Sequence, residues 1–239
     1  MHANLLSSRF MTKEQYLEKV PPICTELYGP MAIPAAKLLW ENSGPIFAMD
    51  AMVRAYGEIW ALQGPLNVNG RSLATVAALV AQDLYPQIKL HLNGFVSSGG
   101  TLDELYDLVQ IAAVESNSKN IDALADAVFG GLKWREESIT GFTAPSRDEI
   151  FKKISAGKKE FILNPRSSLL DKLSVQIALG NMDKVQEYMQ ALVRDLPPDI
   201  NQDNYIDLLI THLIVYCGYP RGMNAFNVWQ QLRGEFGLK

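Results

Sequence analysis

Cysteine, histidine, an excess of either charge and long apolar runs are all scarce in this 239-residue sequence, and each shortage excludes a class of function. The two cysteines, Cys24 and Cys217, lie far apart, and no CxxC pair exists. A dithiol redox centre within one local segment is therefore excluded. The expectation is two free thiols in a reducing compartment, each packed as a small apolar residue. The three histidines, His2, His91 and His212, show no ligand spacing with Asp, Glu or Cys, so no metal site is expected. No glycine-rich phosphate loop and no Ser/His/Asp arrangement occurs, and no cofactor is expected. There are 22 Lys and Arg against 26 Asp and Glu, a net charge of -4. Without a basic excess to neutralise phosphates, a nucleic-acid partner is not expected. The run Lys152, Lys153, Lys158 and Lys159 is interleaved with apolar residues and reads as a solvated helix face. No stretch approaches the ~18 apolar residues of a membrane span. The first residues, Met1 to Lys13, lack the apolar core of a signal peptide, so no membrane association and a cytoplasmic location are expected.

What the sequence does have is helical periodicity. Ile206, Leu209, Ile210, Leu213, Ile214 and Cys217 recur at the spacing of one helix face, as do Leu102, Leu105, Leu108, Val109 and Ala112. Thr12 with Gln15, Thr101 with Glu104 and Ser146 with Glu149 have the form of capping boxes that start helices. Gly29-Pro30, Gly44-Pro45, Gly64-Pro65, Gly99-Gly100 and Gly130-Gly131 read as helix stops. No segment alternates apolar and polar residues between turn signals. The expected fold class is all-α, with about ten helices of ordinary length. The expected organisation is a helical N-terminal segment at 1–45, a first module at 46–140 and a second, more divergent module at 141–239. The boundary falls near Gly141 to Pro145, and order is expected from Thr12, with residues 1–10 a disordered extension. A weak internal repeat supports two modules: Asn69-Gly-Arg-Ser resembles Asn164-Pro-Arg-Ser, and Leu102 to Leu108 resembles Gln202 to Leu208.

The order of local signals also carries a resemblance. Gly57-Glu-Ile-Trp60, the Gly64-Pro-Leu loop, Arg71, an apolar helix, His91 and Gly100-Thr-Leu-Asp-Glu104-Leu follow one another in sequence. Tyr216, Gly218, Pro220, Asn224 and Ala225 form a Tyr-x-Gly-x-Pro-x-x-x-Asn-Ala element in the second half. The chain thereby resembles the carboxymuconolactone decarboxylase family, over roughly residues 46–135 and less fully over 146–232. The resemblance implies two tandem all-helical modules of the alkylhydroperoxidase D-like (AhpD-like) kind and an obligate homo-oligomer, a trimer or pseudo-hexamer of two-module chains. It implies membership among cofactor-free lactone decarboxylases or dithiol peroxidases. The peroxidase relay implied by the family is a CxxCxxxH run with a Glu on the preceding helix. Here the thiol positions hold Leu84 and Gln87, the histidine position holds His91, and the Glu position holds Ser72.

Three residues are the candidate catalytic set. His91 follows Leu84 and Ile88 and precedes Phe95 at helical spacing, an apolar setting that lowers an imidazole pKa and suits acid–base work near neutrality. The alternative is a core histidine bonded to backbone or hydroxyl. Arg71 opens a helix, where a guanidinium beside unpaired amides suits a carboxylate; the alternative is a salt bridge. Glu58 precedes Trp60 and would orient His91, with structural packing as the alternative. His212, among Leu208, Leu209, Val215 and Tyr216, reads as interior.

Three functions compete. The first is a cofactor-free lyase acting on a small carboxylated lactone, with Arg71 placing the acid and His91 delivering a proton. The second is a non-catalytic oligomeric binding or scaffold protein. The third is a peroxidase-type antioxidant resting on Cys217 alone, disfavoured because Leu84 and Gln87 can form no disulfide.

Overall fold

A computed structural model describes residues 11–157 and 160–238, and all regular structure among them is helical. The expectation for residues 1–10 lies outside the described residues. The chain divides into two compact units, Met1–Leu62 and Gln63–Lys239.

The first unit holds α1 (Lys13–Glu18), α2 (Pro22–Tyr28), α3 (Ala32–Ser43) and α4 (Pro45–Asp50), which runs on into a π-helical stretch at Ala51–Trp60. The Thr12 capping box forms: its hydroxyl accepts from Gln15 N, and the Gln15 side chain accepts from Thr12 N. Pro22 and Pro45 occupy first helical positions, where a missing N–H costs nothing. Gly44, at φ 79° and ψ 166°, separates α3 from α4. In the π stretch Tyr56 and Trp60 are buried and stack with centroids 6.4 Å apart. The Tyr28 and Tyr56 hydroxyls meet at 3.0 Å. A Cβ at Gly57 would stand 3.1 Å from the Met52 carbonyl, so the wide turn closes on the one residue without a side chain.

The second unit holds α5 (Val68–Ala81), α6 (Tyr85–Ser97), α7 (Leu102–Glu115), α8 (Ile121–Ser138), α9 (Arg147–Ser155), α10 (Pro165–Leu179), α11 (Met182–Asp195) and α12 (Gln202–Glu235). The expected boundary at Gly141–Pro145 lies inside this unit, in the segment between α8 and α9. One hydrophobic core serves the unit, and α5 and α10 are its central pair. On α5 every residue from Arg71 to Ala81 is buried. Such a helix is wrapped on all sides, and α6, α7, α10 and α12 all pack against it.

Two local features decide what the core can hold. The turn from α5 to α6 is Gln82 to Leu84, with Asp83 at φ 54°. Pro86 lies in the first turn of α6, where its fixed φ suits a helix start. The second feature is a break in α12 at Gly218, which takes φ 80° and ψ 161°. Pro220 lacks the N–H that the carbonyl of Tyr216 would otherwise receive. Gln82 Nε2 supplies that bond instead, donating to Tyr216 O at 3.2 Å, while Arg221 donates to Gln82 Oε1 at 3.1 Å. Gly222 then lets the second segment close on the first, since a Cβ there would meet Ile214 Cγ1 at 2.3 Å. No helix among the described residues is long and apolar enough to cross a membrane.

Candidate functional site

Three helices of the second unit converge on one polar cluster. α5 contributes Arg71 and Thr75, one turn apart and therefore on one face. α12 contributes His212 and Tyr216, again one turn apart. α6 contributes His91 from the middle of its length. The apolar face on which sequence placed His91 is present, with Ile88, Leu92 and Phe95 buried around it.

The contacts are specific. His212 Nε2 and the Thr75 hydroxyl lie 2.8 Å apart. The His91 ring meets Tyr216 edge-on, with centroids 5.1 Å apart and planes at 87°. His212 packs on the same tyrosine at 5.5 Å. Arg71 is 3% exposed, His91 8% and His212 0%. Burial pushes the His91 pKa down to about 4. Burial, with the nearby Arg71 and His91 charges, pushes His212 down to about 3. Both imidazoles are therefore neutral at pH 7, beside a guanidinium that stays charged.

Sequence reasoning thus named two members, Arg71 and His91, that the fold brings into one cluster around His212. Glu58 lies in the first unit, and its side chain is exposed. Ser72, at the family's Glu position, is buried, and Gln87, at a thiol position, is exposed. Thr75, His212 and Tyr216 were missed as site residues. For Thr75 the signal was a single polar residue within Leu73 to Leu79, and for His212 a polar pair with Thr211 within Leu208 to Leu213.

Burial pushes Cys24 up to about 12 and Cys217 up to about 11, so neither is a thiolate near neutrality. Cys217 instead donates to Leu213 O at 3.1 Å. Among the described residues no group of three or more His, Cys, Asp or Glu is arranged to hold a metal ion.

Two other features of the second unit stand outside the cluster. Asp171 on α10 is fully buried, with neither carboxyl oxygen bonded to a described residue. Burial first, and then the Glu115 charge, raises its pKa well above the carboxylate range. A groove of about 880 Å³ opens between α7 and α9, lined by Tyr106, Lys152 and Lys153 among others. It shares no residue with the histidine cluster, and the Lys153–Asp103 pair at its rim is half exposed. The cluster is the candidate site because acid–base groups and a buried cation meet there, which volume alone does not provide.

Residues 48–128 match the carboxymuconolactone decarboxylase family. That stretch includes Glu58, Arg71, Thr75 and His91, while His212 and Tyr216 come from beyond it. No curated protein matches the chain. Residues 48–128, which carry the order Gly57-Glu-Ile-Trp60, Arg71, His91 and Thr101–Glu104, are thus a region of the carboxymuconolactone decarboxylase family type.

Proposed function

We propose that the second unit is a cofactor-free acid–base site for a small carboxylated compound of the lactone class. Arg71 binds the carboxylate and His91 moves the proton. The observation that carries this reading is the burial of Arg71, His91 and His212 together in one cluster. A guanidinium in a low-dielectric site attracts a carboxylate more strongly than one in water. Entry of that negative charge raises the depressed His91 pKa towards neutrality, which arms the ring only when substrate is present. Tyr216 holds the ring plane, and Thr75 sets the orientation of His212. Decarboxylation needs a proton at the carbon that loses carbon dioxide, and His91 is the group proposed to supply it.

The test is turnover of a panel of carboxylated γ-lactones by the full chain, followed chromatographically. His91→Asn should abolish turnover, and Arg71→Met should raise KM, with the circular dichroism of both variants unchanged. Undiminished turnover in both variants would sink the reading. The near-complete burial of the cluster favours a second reading, a non-catalytic scaffold in which these groups only satisfy one another. Absence of both turnover and saturable lactone binding would support it.

The assembly belongs to the same proposal. Ile46, Phe47, Val114 and Tyr219 are large apolar residues that lie exposed, which supports a homo-oligomer. The helix order of α5 to α7 recurs in α10 to α12, with asparagine caps at Asn67 and Asn164, which supports reading the second half as a divergent module. The free thiols Cys24 and Cys217 support a reducing, cytoplasmic setting.

A further inference from the structure

The two motifs that suggested an internal repeat open two helices that meet at one cavity, and of their residues the histidine site uses only Arg71. That cavity, about 290 Å³, lies within the second unit and is lined by Asn69, Gly70, Arg166, Leu170 and Tyr205 among others. It shares no lining residue with the His91 cluster.

Its walls are unusually rich in donors. α5 and α10 both begin here, and both are long enough, at 14 and 15 residues, to carry a full terminal dipole. Asn67 caps only the Gly70 amide, and Asn164 caps only the Ser167 amide. The second-position amides of Asn69 and Arg166 have no intrahelical acceptor, as at any helix start. Arg166 uses Nε and one terminal N–H on Asp195, at 3.2 and 3.0 Å. Two of its five donors are thus taken, and three are left.

Tyr205 supplies the independent sign of a ligand. It is 7% exposed, it lines the cavity, and its hydroxyl makes no hydrogen bond to any described residue. The side chain is over nine-tenths buried while the hydroxyl itself stays accessible and unused by the protein, so a ligand in the cavity would meet a free donor there. Arg166 is near enough for its charge to act on the phenol. Gly70 lets Leu66 and Leu170 pack close against the start of α5, since a Cβ there would meet Leu66 Cδ1 at 2.7 Å and Leu170 Cδ2 at 3.6 Å.

We propose that the adjoining N-termini of α5 and α10, together with Arg166 and Tyr205, form a binding site for a small oxyanion. The shared chemistry is a single carboxylate or phosphate group, with helix amides and Arg166 meeting its charge and the Tyr205 hydroxyl donating to one oxygen. The cavity holds such a group with a short carbon chain and excludes a nucleotide.

Calorimetric titration of the full chain tests this, using inorganic phosphate and succinate in turn at constant ionic strength, with chloride as control. Saturable binding of one ion per chain is expected. Binding of phosphate alone identifies a phosphoryl ligand, and binding of succinate alone a carboxylate. Tyr205→Phe removes one hydroxyl without disturbing packing, and it and Arg166→Gln should each weaken binding about tenfold or more. Arg71→Met should leave succinate and phosphate still bound at this site, which separates it from the lactone site. The proposal is overturned if neither ion saturates below ~10 mM, or if affinity is intact in both Tyr205→Phe and Arg166→Gln.

Discussion

Acidification should destabilise this protein through two named imidazoles. His91 and His212 are held near pKa 4 and 3 in the folded chain, against about 6.5 when unfolded. Depressed folded values mean that the unfolded chain takes up the extra protons. Stability is therefore full above about pH 6.5 and falls as pH drops, down to about 4 for His91 and 3 for His212. Between pH 7 and pH 5 each histidine should cost about 2 kcal/mol, from the ratio of proton-binding terms in the two states. Together they remove about 4 kcal/mol, a large part of an ordinary domain's stability. Urea unfolding at several pH values would measure this in wild type, His91→Gln and His212→Gln. Each variant starts less stable at pH 7, but its loss between pH 7 and 5 should be about 2 kcal/mol smaller than that of wild type. Comparing losses rather than stabilities cancels other titrating groups and the packing cost of substitution. If both variants keep the full wild-type loss, the imidazoles titrate normally in the folded chain and the burial argument fails.

Three further outcomes are expected. Gly131→Ala should destabilise by about 1–2 kcal/mol despite the better helix propensity of alanine. Its Cβ would stand 2.6 Å from the Lys89 carbonyl where α8 crosses α6, and a gain in denaturation midpoint would contradict that close approach. Asp171→Asn should gain on wild type as pH rises from 5 to 8, because a carboxyl whose folded pKa is raised loses stability with rising pH; relative loss by the variant would refute the assignment. Cys24 and Cys217 should resist iodoacetamide at pH 8 in the native protein and react after unfolding, as judged by mass spectrometry.

The legible parts of the fold were those encoded locally. All three capping boxes, at Thr12, Thr101 and Ser146, form as read, because each depends only on two residues three apart, whose side chains bond each other's amides. The apolar stripes of α7 and α12 were equally plain. The π stretch at Ala51–Trp60 was not, since one extra residue per turn leaves little mark on composition. The repeat was matched by letters at Asn69 and Asn164, yet the residue that caps α5 is Asn67, so the match runs two residues out of register. Of the site, Arg71 and His91 were legible as residue types in a family pattern. His212 was set aside as interior, and interior is where it lies; what sequence could not give was that Thr75 and Arg71, more than 130 residues earlier, are its neighbours.

The break at Gly218 has a consequence for cooperativity. Helical order propagates from residue to residue through successive hydrogen bonds, and one residue at φ 80° ends that propagation. The segment 219–235 is thus an independent unit of opening, although it continues the same helix in sequence. Trp229 and Arg233 pin its far end by bonding the two carboxylate oxygens of Asp203, and Arg221 pins the near end through Gln82. Native-state hydrogen exchange should divide α12 into two protection classes at residue 218, with the later segment opening at lower free energy than the buried stretch Tyr205–Leu213. Such opening would swing Arg221 away from Gln82 and release the Tyr216 carbonyl, loosening the ring against which His91 rests. The last 17 residues of the helix would then set how often the buried cluster is open to solvent.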